Sequence, residues 1–346
     1  MAYTEIDDPS AYFQTTLYTG NGGTLAVTNG GNSDLQQDWT WIKERTQTES
    51  HFLFDTVRGD NKYMNSNGTG QEYTESGGMA FNSDGFTLGS WNSVNESNIP
   101  YVSWNWKAGT SFTNDASGTG IGSIDSAGSV NQDAGFSICS FTGTGSNGTV
   151  KHGLNSAPST IIYKRRNASG GWVVWHKSIG TNIIELNETG AAQGGSSYIN
   201  GTIPTNSVFS VGTSGDINAS GGTYIAYCFG DVQGFSKMGS YTGNGSNSFI
   251  YTGFKVGWLL VKVSDGTNGW LVIDAKRSPA NPQGKFVYAN ANSAEGTVTY
   301  GEFFSNGFGW KGTNSIAVNQ SGKNYIYYAI AENPFVTSTG IPTTAR

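Results

Sequence analysis

Three stretches of this chain alternate large apolar side chains with small or polar ones. The first alternates Val102, Trp104 and Trp106 with Ser103 and Asn105. The other two carry their large residues in the same rhythm: Ile225, Tyr227 and Phe229, then Ile326, Tyr328 and Ile330. A period of two residues predicts β-strands, because successive side chains of a strand point to opposite faces. We expect the large apolar face of each strand to lie in a core.

Each of these strands closes a repeat that opens with an aromatic residue followed by Thr-Gly-x-Gly. The openings are residues 18–22, 141–145 and 241–245. The distance from the opening aromatic residue to the Tyr that begins the closing strand is nearly constant, at 101 − 18 = 83, 224 − 141 = 83 and 325 − 241 = 84 residues. Internal similarity at a fixed period sets the architecture of a chain, so we predict three copies of one unit.

Further positions correspond between the three copies. A hydrophobic run reaches a lysine in each copy, and these lysines are Lys43, Lys164 and Lys262. A second hydrophobic run ends twelve residues later (55 − 43, 176 − 164 and 274 − 262), at Asp55, His176 and Asp274. Because one copy has histidine where the other two have aspartate, a shared catalytic role is not favoured. We interpret these positions as strand ends or turns.

The pattern predicts an all-β protein. Gly, Asn, Ser and Thr cluster between the apolar runs, as in tight turns and hairpins, and no window carries a sustained helical period. Short strands separated by frequent turns indicate antiparallel sandwiches or barrels, and ~95 residues is the size of one small sandwich. We predict three tandem antiparallel β-sandwich repeats, for which a jelly-roll is one candidate topology.

The composition along the chain places the boundaries of these domains. The repeats are expected at residues 18–109, 135–230 and 241–336. Residues 1–17 precede them and are predicted to form an N-terminal docking arm. The Gly/Ser-rich stretch at 110–134 is predicted to be a flexible linker. The Thr/Ser-rich residues 337–346 are expected to form a loose tail.

Composition and charge narrow the class of protein. Charged residues make up 13% of the chain, about half of the ~25% typical of soluble domains. The formal net charge of −6 argues against a basic surface for phosphates, so we expect no nucleic-acid partner. The polar, acidic start lacks the pattern of a signal peptide, and no apolar run reaches the ~18–20 residues of a membrane span. We expect synthesis in a cytoplasm, without membrane insertion.

Residue types that carry catalysis or bind metals are few and scattered. The histidines, His51, His152 and His176, stand at no spacing typical of a metal site. Cys139 and Cys228 lie on the first and last strands of the middle copy. We interpret them as buried thiols, with a disulfide between neighbouring strands as the alternative. We therefore predict no catalytic residue, no metal site and no cofactor.

Two tryptophans are the candidate contact residues. Trp91 and Trp310 lie in polar, glycine-rich segments just after a Gly-Phe step, whereas Trp104 and Trp106 belong to an apolar strand face. An exposed tryptophan beside polar groups can stack on a sugar ring or anchor a protein interface. The simpler interpretation is a ring that closes one end of a sandwich, and the sequence leaves both open.

Several motifs resemble a family of virion structural proteins from phages of marine bacteria, the T7-like cyanophages and pelagiphages. They are Tyr-Thr-Gly-Asn-Gly at 18–22 and 241–245, Ser-Asp-Gly-Phe-Thr-Leu-Gly at 83–89, Trp-Asn-Trp-Lys-Ala-Gly at 104–109, Gly-Phe-Ser-Lys at 234–237 and Ala-Glu-Asn-Pro-Phe at 331–335. The resemblance implies a tail-fibre or particle-surface protein and carries no catalytic residues over. The chain lacks the coiled-coil or triple β-helix shaft of a trimeric fibre, so capsid decoration stays open beside it.

The sequence therefore predicts a non-enzymatic virion protein displayed on the particle surface, as a tail fibre or appendage or as capsid decoration, and in contact with the host surface. Its expected partners are other tail or capsid proteins and further copies of itself, and its expected location is the virion. One alternative is a carbohydrate-binding module that recognises host glycan through Trp91 and Trp310. The other is a polysaccharide-degrading enzyme, which would need two carboxylates flanking a cleft.

Overall fold

The computed structural model describes residues 3–343. The first two residues of the predicted arm and the last three of the predicted tail lie outside this range. Strands account for 41% of the residues and helices for 6%, which confirms the predicted all-β class. The α-helices of the described residues are single turns of four residues, consistent with a sequence that lacks a helical period.

The strands fall into three units with a hairpin between the first two. Unit 1 contains β1 (Phe13–Thr19), β2 (Leu25–Val27), β3 (Trp39–Glu44), β4 (His51–Asp55), β5 (Lys62–Met64), β6 (Tyr73–Thr74), β7 (Met79–Phe81), β8 (Phe86–Leu88), α1 (Asn92–Asn95) and β9 (Pro100–Trp106). The hairpin contains β10 (Thr110–Asn114), α2 (Ala116–Thr119) and β11 (Ser126–Asn131).

The other two units resemble unit 1 in the order of their strands, with a single-turn helix in the place of β7 in unit 2 and strands only in the described elements of unit 3. Unit 2 contains β12 (Phe136–Thr142), β13 (Gly148–Lys151), β14 (Thr160–Arg165), β15 (Trp172–His176), β16 (Asn182–Glu185), β17 (Gln193–Gly194), α3 (Ser196–Ile199), β18 (Val208–Val211), α4 (Gly215–Asn218) and β19 (Thr223–Phe229). Unit 3 contains β20 (Ser236–Thr242), β21 (Ile250–Tyr251), β22 (Phe254–Val263), β23 (Leu271–Asp274), β24 (Lys285–Tyr288), β25 (Gly296–Thr297), β26 (Gly301–Phe304), β27 (Gly307–Trp310) and β28 (Asn324–Pro334). Short 3-10 turns add Pro9–Ala11 and Lys177–Ile179.

One strand order occurs in all three large sheets. It is β1-β9-β3-β4-β5-β6 in unit 1, β12-β19-β14-β15-β16-β17 in unit 2 and β20-β28-β22-β23-β24-β25 in unit 3. A small sheet accompanies each large one: β2-β8-β7, β13-β18 and β21-β27-β26 respectively. The ladders between these named strands are antiparallel. The closing strand of each unit lies between the first and third strands of that unit.

Each large sheet buries both of its faces. Its outer face packs against the small sheet of its own unit, and in unit 2 this core includes Tyr163, Phe209 and Cys228. Its inner face packs against the inner faces of the other two large sheets, in a central core shared by all three units. The expectation for the closing strands is confirmed, because Trp104 and Tyr227 and their neighbours on the same face belong to this central core.

Aromatic rings make the contacts across the central core. The ring centroids of Trp39 and Tyr227 lie 4.5 Å apart between units 1 and 2. Phe229 and Tyr328 lie 5.0 Å apart between units 2 and 3, and Trp258 lies 5.5 Å from the Trp106 ring of unit 1. The three units thus differ from independent tandem domains. The inner face of each sheet is too apolar to be left in water and needs both of the other units to cover it.

The segment predicted as a linker is ordered and paired. Residues 110–134 contain the hairpin of β10 and β11, and β11 pairs with β12 along the edge of the large sheet of unit 2. Strands β11 and β12 approach each other closely at Gly128, although the composition of this segment is typical of turns. A Cβ at this position would lie 1.8 Å from the carbonyl oxygen of Ile138. Small residues here permit tight strand packing, and the linker interpretation was wrong.

The predicted docking arm is part of the fold. Residues 13–17 belong to β1, which pairs with β9 in the large sheet of unit 1. Upstream of β1, Ile6 is buried, and the Thr4 hydroxyl donates to the carbonyl of Gln233 at 2.8 Å. The predicted tail is bonded as well, since the Ser338 amide donates to Asp7 at 2.6 Å. The two terminal segments therefore lie side by side on unit 3, which itself begins at Ser236 and not at residue 241.

A buried asparagine holds each Thr-Gly-x-Gly turn in place. These asparagines are Asn95, Asn218 and Asn319. Asn319 Oδ1 accepts from the amide of Asn244 at 3.1 Å, and its Nδ2 donates to the carbonyl of Ser246 at 2.6 Å. Asn95 and Asn218 bond the corresponding turns in the same way. The repeated opening motif is thus a fold determinant.

The first glycine of the motif is required by the close approach of the backbone. A Cβ on Gly243 would lie 2.3 Å from the carbonyl oxygen of Gln320, and Gly20 and Gly143 face carbonyls at 2.2 and 2.4 Å. Real Cβ atoms do not approach an oxygen this closely. The turn must therefore move away from the segment that precedes the closing strand if any side chain is introduced.

We expect Gly243→Ala to lower the free energy of unfolding by about 2 kcal/mol or more, because the added methyl group forces the backbone apart. Urea denaturation measures this loss. Gly194→Ala is the matched control, since Gly194 has open space around its Cβ position and should change stability by less than about 0.5 kcal/mol. Equal stability of the two variants would show that the close approach is not required.

Candidate functional site

Trp310, one of the two predicted contact residues, is inside the protein. Only 1% of its surface is exposed, and its Nε1 donates to the hydroxyl of Tyr241 at 2.8 Å. It lies on the inward face of β27 and belongs to the core between the two sheets of unit 3. A contact with a sugar or a partner protein through Trp310 was the wrong interpretation, and the ring closes the sandwich.

Trp91 is half-buried at the start of α1. Its ring centroid lies 4.7 Å from those of both Phe52 and Tyr63, on the sandwich core of unit 1. Trp91 and Trp310 belong to different units, so the structure does not bring them together. Tyr73 stacks on Tyr63 at 5.5 Å and extends this aromatic group to the surface.

Asp55, Asp274 and His176 each lie at the end of a strand, as predicted, and each meets the next unit. Tyr227 of unit 2 donates its hydroxyl to Asp55 Oδ2 at 2.7 Å, and Trp104 of unit 1 donates its Nε1 to Asp274 Oδ2 at 3.1 Å. His176 of unit 2 donates its Nε2–H to a carbonyl of unit 3, 3.2 Å away. The contacts run from unit 1 to 2, from 2 to 3 and from 3 to 1, and they close a ring.

Two of these three positions carry a buried ion pair. Arg58 Nε donates to Asp55 Oδ2, and Arg277 Nε donates to Asp274 Oδ2 at 2.6 Å, with all four side chains fully buried. Burial opposes the charge of Arg58, but the Asp55 carboxylate outweighs it and raises the pKa of the guanidinium. Each carboxylate is therefore held by its own arginine and by a donor from the neighbouring unit. Both are structural groups.

The three corresponding lysines are also buried between units. Burial lowers the pKa of Lys43, Lys164 and Lys262 to about 8. Lys164 Nζ donates to the carbonyl of Thr69 in unit 1 at 3.0 Å, and Lys262 Nζ donates to that of Thr189 in unit 2 at 3.2 Å. Lys164 and Lys262 thus each bind a turn of the preceding unit through backbone carbonyls, whereas Lys43 Nζ donates to the carbonyl of Glu44 in its own unit at 2.7 Å.

A third set of equivalent residues makes parallel contacts. Trp172 of unit 2 donates its Nε1 to the carbonyl of Asn65 in unit 1 at 2.8 Å. Trp270 of unit 3 donates its Nε1 to the backbone carbonyl of Glu185 in unit 2 at 2.9 Å, and His51 Nε2 lies 3.0 Å from the carbonyl oxygen of Tyr288 in unit 3. The position is conserved in geometry across the three units while the residue changes from His to Trp, because only an N–H donor is needed there.

All three histidines have the same protonation. Nδ1 of His51, His152 and His176 accepts from Trp41 Nε1, the Leu154 amide and the Ser178 amide respectively, at 2.8 to 3.1 Å. Nε2 must then carry the proton, and in each case a carbonyl oxygen lies within 3.2 Å of it. Burial lowers the pKa of His152 and His176 to about 4 and that of His51 well below its usual range. These rings are neutral, and both nitrogens are occupied.

Cys139 and Cys228 are buried free thiols, as interpreted from the sequence. Burial raises the pKa of Cys139 to about 12 and that of Cys228 well above its usual value. Cys139 Sγ donates to the carbonyl of Lys151 at 3.2 Å. Thiols of this kind pack as small apolar groups, because a thiol that reacts needs exposure and a lowered pKa.

Within residues 3–343, no group of three or more His, Cys, Asp or Glu side chains is arranged to hold a metal ion. No helix in that range is long and apolar enough to cross a membrane. A surface cleft of about 370 Å³ lies where the N-terminal segment meets unit 3, and its polar lining includes Asp8, Gln14, Lys276 and Glu332. Asp8 already accepts from the hydroxyls of Ser10 and Ser33, so this carboxylate is used in tying down the segment.

The most exposed aromatic side chains lie on the small sheet of unit 3. Phe249 is 54% exposed and Tyr251 is 52% exposed, on either side of the inward-facing Ile250. Sequence reasoning did not identify them, because it considered only tryptophans in polar segments as contact residues. A comparison of the three copies could have identified these two residues, because the equivalent positions of the other copies are not aromatic. Val27 and Val150 occupy the place of Ile250, and their neighbours are Ala26 and Thr28 in unit 1 and Thr149 and Lys151 in unit 2.

We expect Asp274→Asn to lower the free energy of unfolding by about 3 kcal/mol, because the buried Arg277 loses its nearest carboxylate partner, at 2.6 Å, and keeps only the longer contact with Glu295, at 3.4 Å. Chemical denaturation at neutral pH measures the change. Asp60→Asn is the matched control, because Asp60 is exposed and should change stability by less than about 0.5 kcal/mol. A loss below about 1 kcal/mol for Asp274→Asn would contradict a structural role for the pair.

The histidines predict loss of stability in acid. Their pKa is lowered on folding, so the unfolded chain binds more protons below about pH 6.5 and the native state is disfavoured progressively toward pH 4. His152 and His176 should each cost about 2 kcal/mol at pH 5 relative to pH 7. His176→Gln keeps one acceptor and one donor, so this variant should lose less stability than the wild type between pH 7 and pH 5. An unchanged pH dependence would contradict the role of His176.

One protein-family model matches nearly the whole folded part of the chain. No curated protein matches the chain. A family model described as a domain of unknown function, DUF7483, matches residues 8–334, which run from the N-terminal segment on unit 3 to the end of β28. The match covers all three units and the hairpin between the first two, so the family is defined by the three units together. The chain therefore belongs to the DUF7483 family.

Proposed function

We propose that this chain is a non-enzymatic structural protein of a phage virion, displayed on the particle surface as a tail fibre or appendage or as capsid decoration. The observation that carries the proposal is that the buried polar and charged side chains are engaged in structural contacts. The three histidines are neutral and buried, and the lysine and Asp–Arg groups bind one unit to the next. Groups that an enzyme would present in a cleft are used here to hold three sandwiches rigidly together.

The residues that carry the resemblance to virion proteins have structural places in this fold. A Cβ on Gly85 would lie 1.9 Å from the carbonyl oxygen of Val27, and Trp104 is fully buried in the central core. These motifs support a common architecture with displayed particle proteins, and they indicate no chemical reaction. A closed, rigid ring with a weakly charged exterior suits a component that must keep its shape outside a cell.

The folded arm changes how attachment to the particle is proposed to work. Because residues 13–17 form part of β1, deletion of residues 1–17 would remove a strand from the large sheet of unit 1. Attachment is therefore proposed to use a surface of the folded ring, with other tail or capsid proteins and further copies of the chain as partners.

Purified phage particles test the display proposal. After density-gradient banding and a high-salt wash, we expect the intact chain in the particle band at a fixed copy number, and antibodies against the folded ring should label particle surfaces in electron micrographs. Incubation of the purified chain with host polysaccharides should release no new reducing ends. Recovery of the chain only from the soluble fraction of the lysate, or release of reducing ends, would overturn the proposal.

A further inference from the structure

We propose that the small sheet of unit 3 binds carbohydrate through an aromatic platform formed by Phe249, Tyr251 and Phe304. The inference goes beyond particle display, because it names a ligand chemistry and holds wherever the protein resides. It assigns the sugar contact to a face that neither Trp91 nor Trp310 shares.

The platform is built on two glycines of β27. Phe308 and Trp310 point into the core, and Gly307 and Gly309, which alternate with them along the strand, belong to its other face. A Cβ on Gly307 would lie 2.2 Å from the carbonyl oxygen of Ile250 and 3.0 Å from the Phe249 ring. A Cβ on Gly309 would lie 2.1 Å from the carbonyl oxygen of Ser248 and 3.0 Å from the Phe304 ring. The two rings therefore lie across the bare backbone of β27, with their centroids 5.6 Å apart.

The other two units show that the fold does not require these aromatic residues. The exposed positions equivalent to Phe249 and Tyr251 hold Ala26 and Thr28 in unit 1. In unit 2 they hold Thr149 and Lys151. Since all three units fold with the same strand order, aromatic residues at these positions serve something other than the sandwich.

The strand beneath the platform differs in the same way. Gly309 follows the core residue Phe308, and the residues that follow the equivalent Phe86 and Phe209 are Thr87 and Ser210. Only the third unit combines aromatic rings on the outer face with a glycine beneath them. A Cβ at 309 would lie 2.1 Å from the carbonyl oxygen of Ser248 and 3.0 Å from the Phe304 ring, so the glycine permits both the close approach of the backbone and the position of the ring.

The size of the platform favours a sugar over a protein. An aromatic side chain buries about 150–250 Å² when fully covered, so three partly exposed rings offer on the order of 300 Å². A stable protein interface needs about 800 Å² from each partner. An area on the order of 300 Å² matches one or two sugar rings, so we commit to an oligosaccharide as the occupant.

The chemistry around the rings also fits a sugar. One face of a pyranose ring carries C–H groups, which match the negative π-face of an aromatic ring, while its rim of hydroxyls needs donors and acceptors. Glu302 shares the outer face of β26 with Phe304 and supplies an acceptor. Lys237 supplies a donor on the other side, where its Nζ lies 5.2 Å from the centroid of the Tyr251 ring and bonds the Tyr251 carbonyl at 3.0 Å.

Isothermal titration of the purified full chain tests the platform, with chitohexaose, cellohexaose and mannohexaose as neutral probes and an alginate hexasaccharide as an acidic one. We expect at least one probe to bind the wild type and to bind Phe249→Ala/Phe304→Ala at least tenfold more weakly. Tyr73→Ala removes a ring of similar exposure from unit 1 and should leave affinity within twofold. Thermal unfolding of each variant verifies that the fold is retained.

A second variant provides a direct signal from the site. Phe249→Trp keeps a flat ring and should retain binding, and its fluorescence emission should shift to shorter wavelength on addition of the bound probe. The proposal is overturned if no probe binds the wild type, if the double alanine variant binds as well as the wild type, or if the double variant instead abolishes a self-association seen by sedimentation. These measurements use the isolated chain, so their failure leaves particle display standing, and absence from particles leaves the platform standing.

Discussion

The shared central core is the constraint on which the rest of the structure depends. Each large sheet has an outer face covered by its own small sheet and an inner face rich in tryptophan and tyrosine. No unit can cover that inner face alone, so the three units must fold against one another. The resulting contacts bury large aromatic areas at once, and burial of apolar area is the dominant favourable term in folding.

Polar contacts give this core its orientation. A hydrophobic contact has no direction, whereas a buried donor must find an acceptor at a defined place. In units 2 and 3 a buried lysine, and in every unit an N–H donor from Trp or His, bonds a backbone carbonyl of the neighbouring unit. The sequence differs between the units at the second of these positions, with His51 in unit 1 and Trp172 and Trp270 in the others. The geometry persists because each of these rings offers an N–H group in the same direction.

The comparison of the units with one another separates fold from function. Positions that hold the same kind of residue three times, such as the turn glycines and the asparagines that bind them, serve the fold. Trp310 was a candidate contact residue because polar residues surround it in sequence. Its position in unit 3 is equivalent to that of the buried Leu88 in unit 1. Phe249 was not singled out by the sequence, and its counterparts Ala26 and Thr149 show that the sandwich does not require an aromatic ring there.

The sequence by itself determined the class and much of the register. Alternation of apolar residues identified the closing strands and their inward face, and turn residues excluded long helices. The spacing of the opening motifs aligned positions that turned out to be equivalent, including Asp55, His176 and Asp274 at strand ends. These inferences succeeded because side-chain periodicity and turn chemistry are local properties that can be read from neighbouring residues.

Only the tertiary structure decided what lies between the units. The composition of residues 110–134 indicated a linker, but pairing with β12 makes the segment two strands, since backbone hydrogen bonds to a sheet edge do not depend on apolar side chains. Burial of Trp310 and exposure of Phe249 likewise follow from which face of a strand meets the core. An alternating sequence shows that a strand has two different faces, but the residues that cover one of these faces are distant in sequence. In this protein, the surface that covers each large sheet comes partly from another unit.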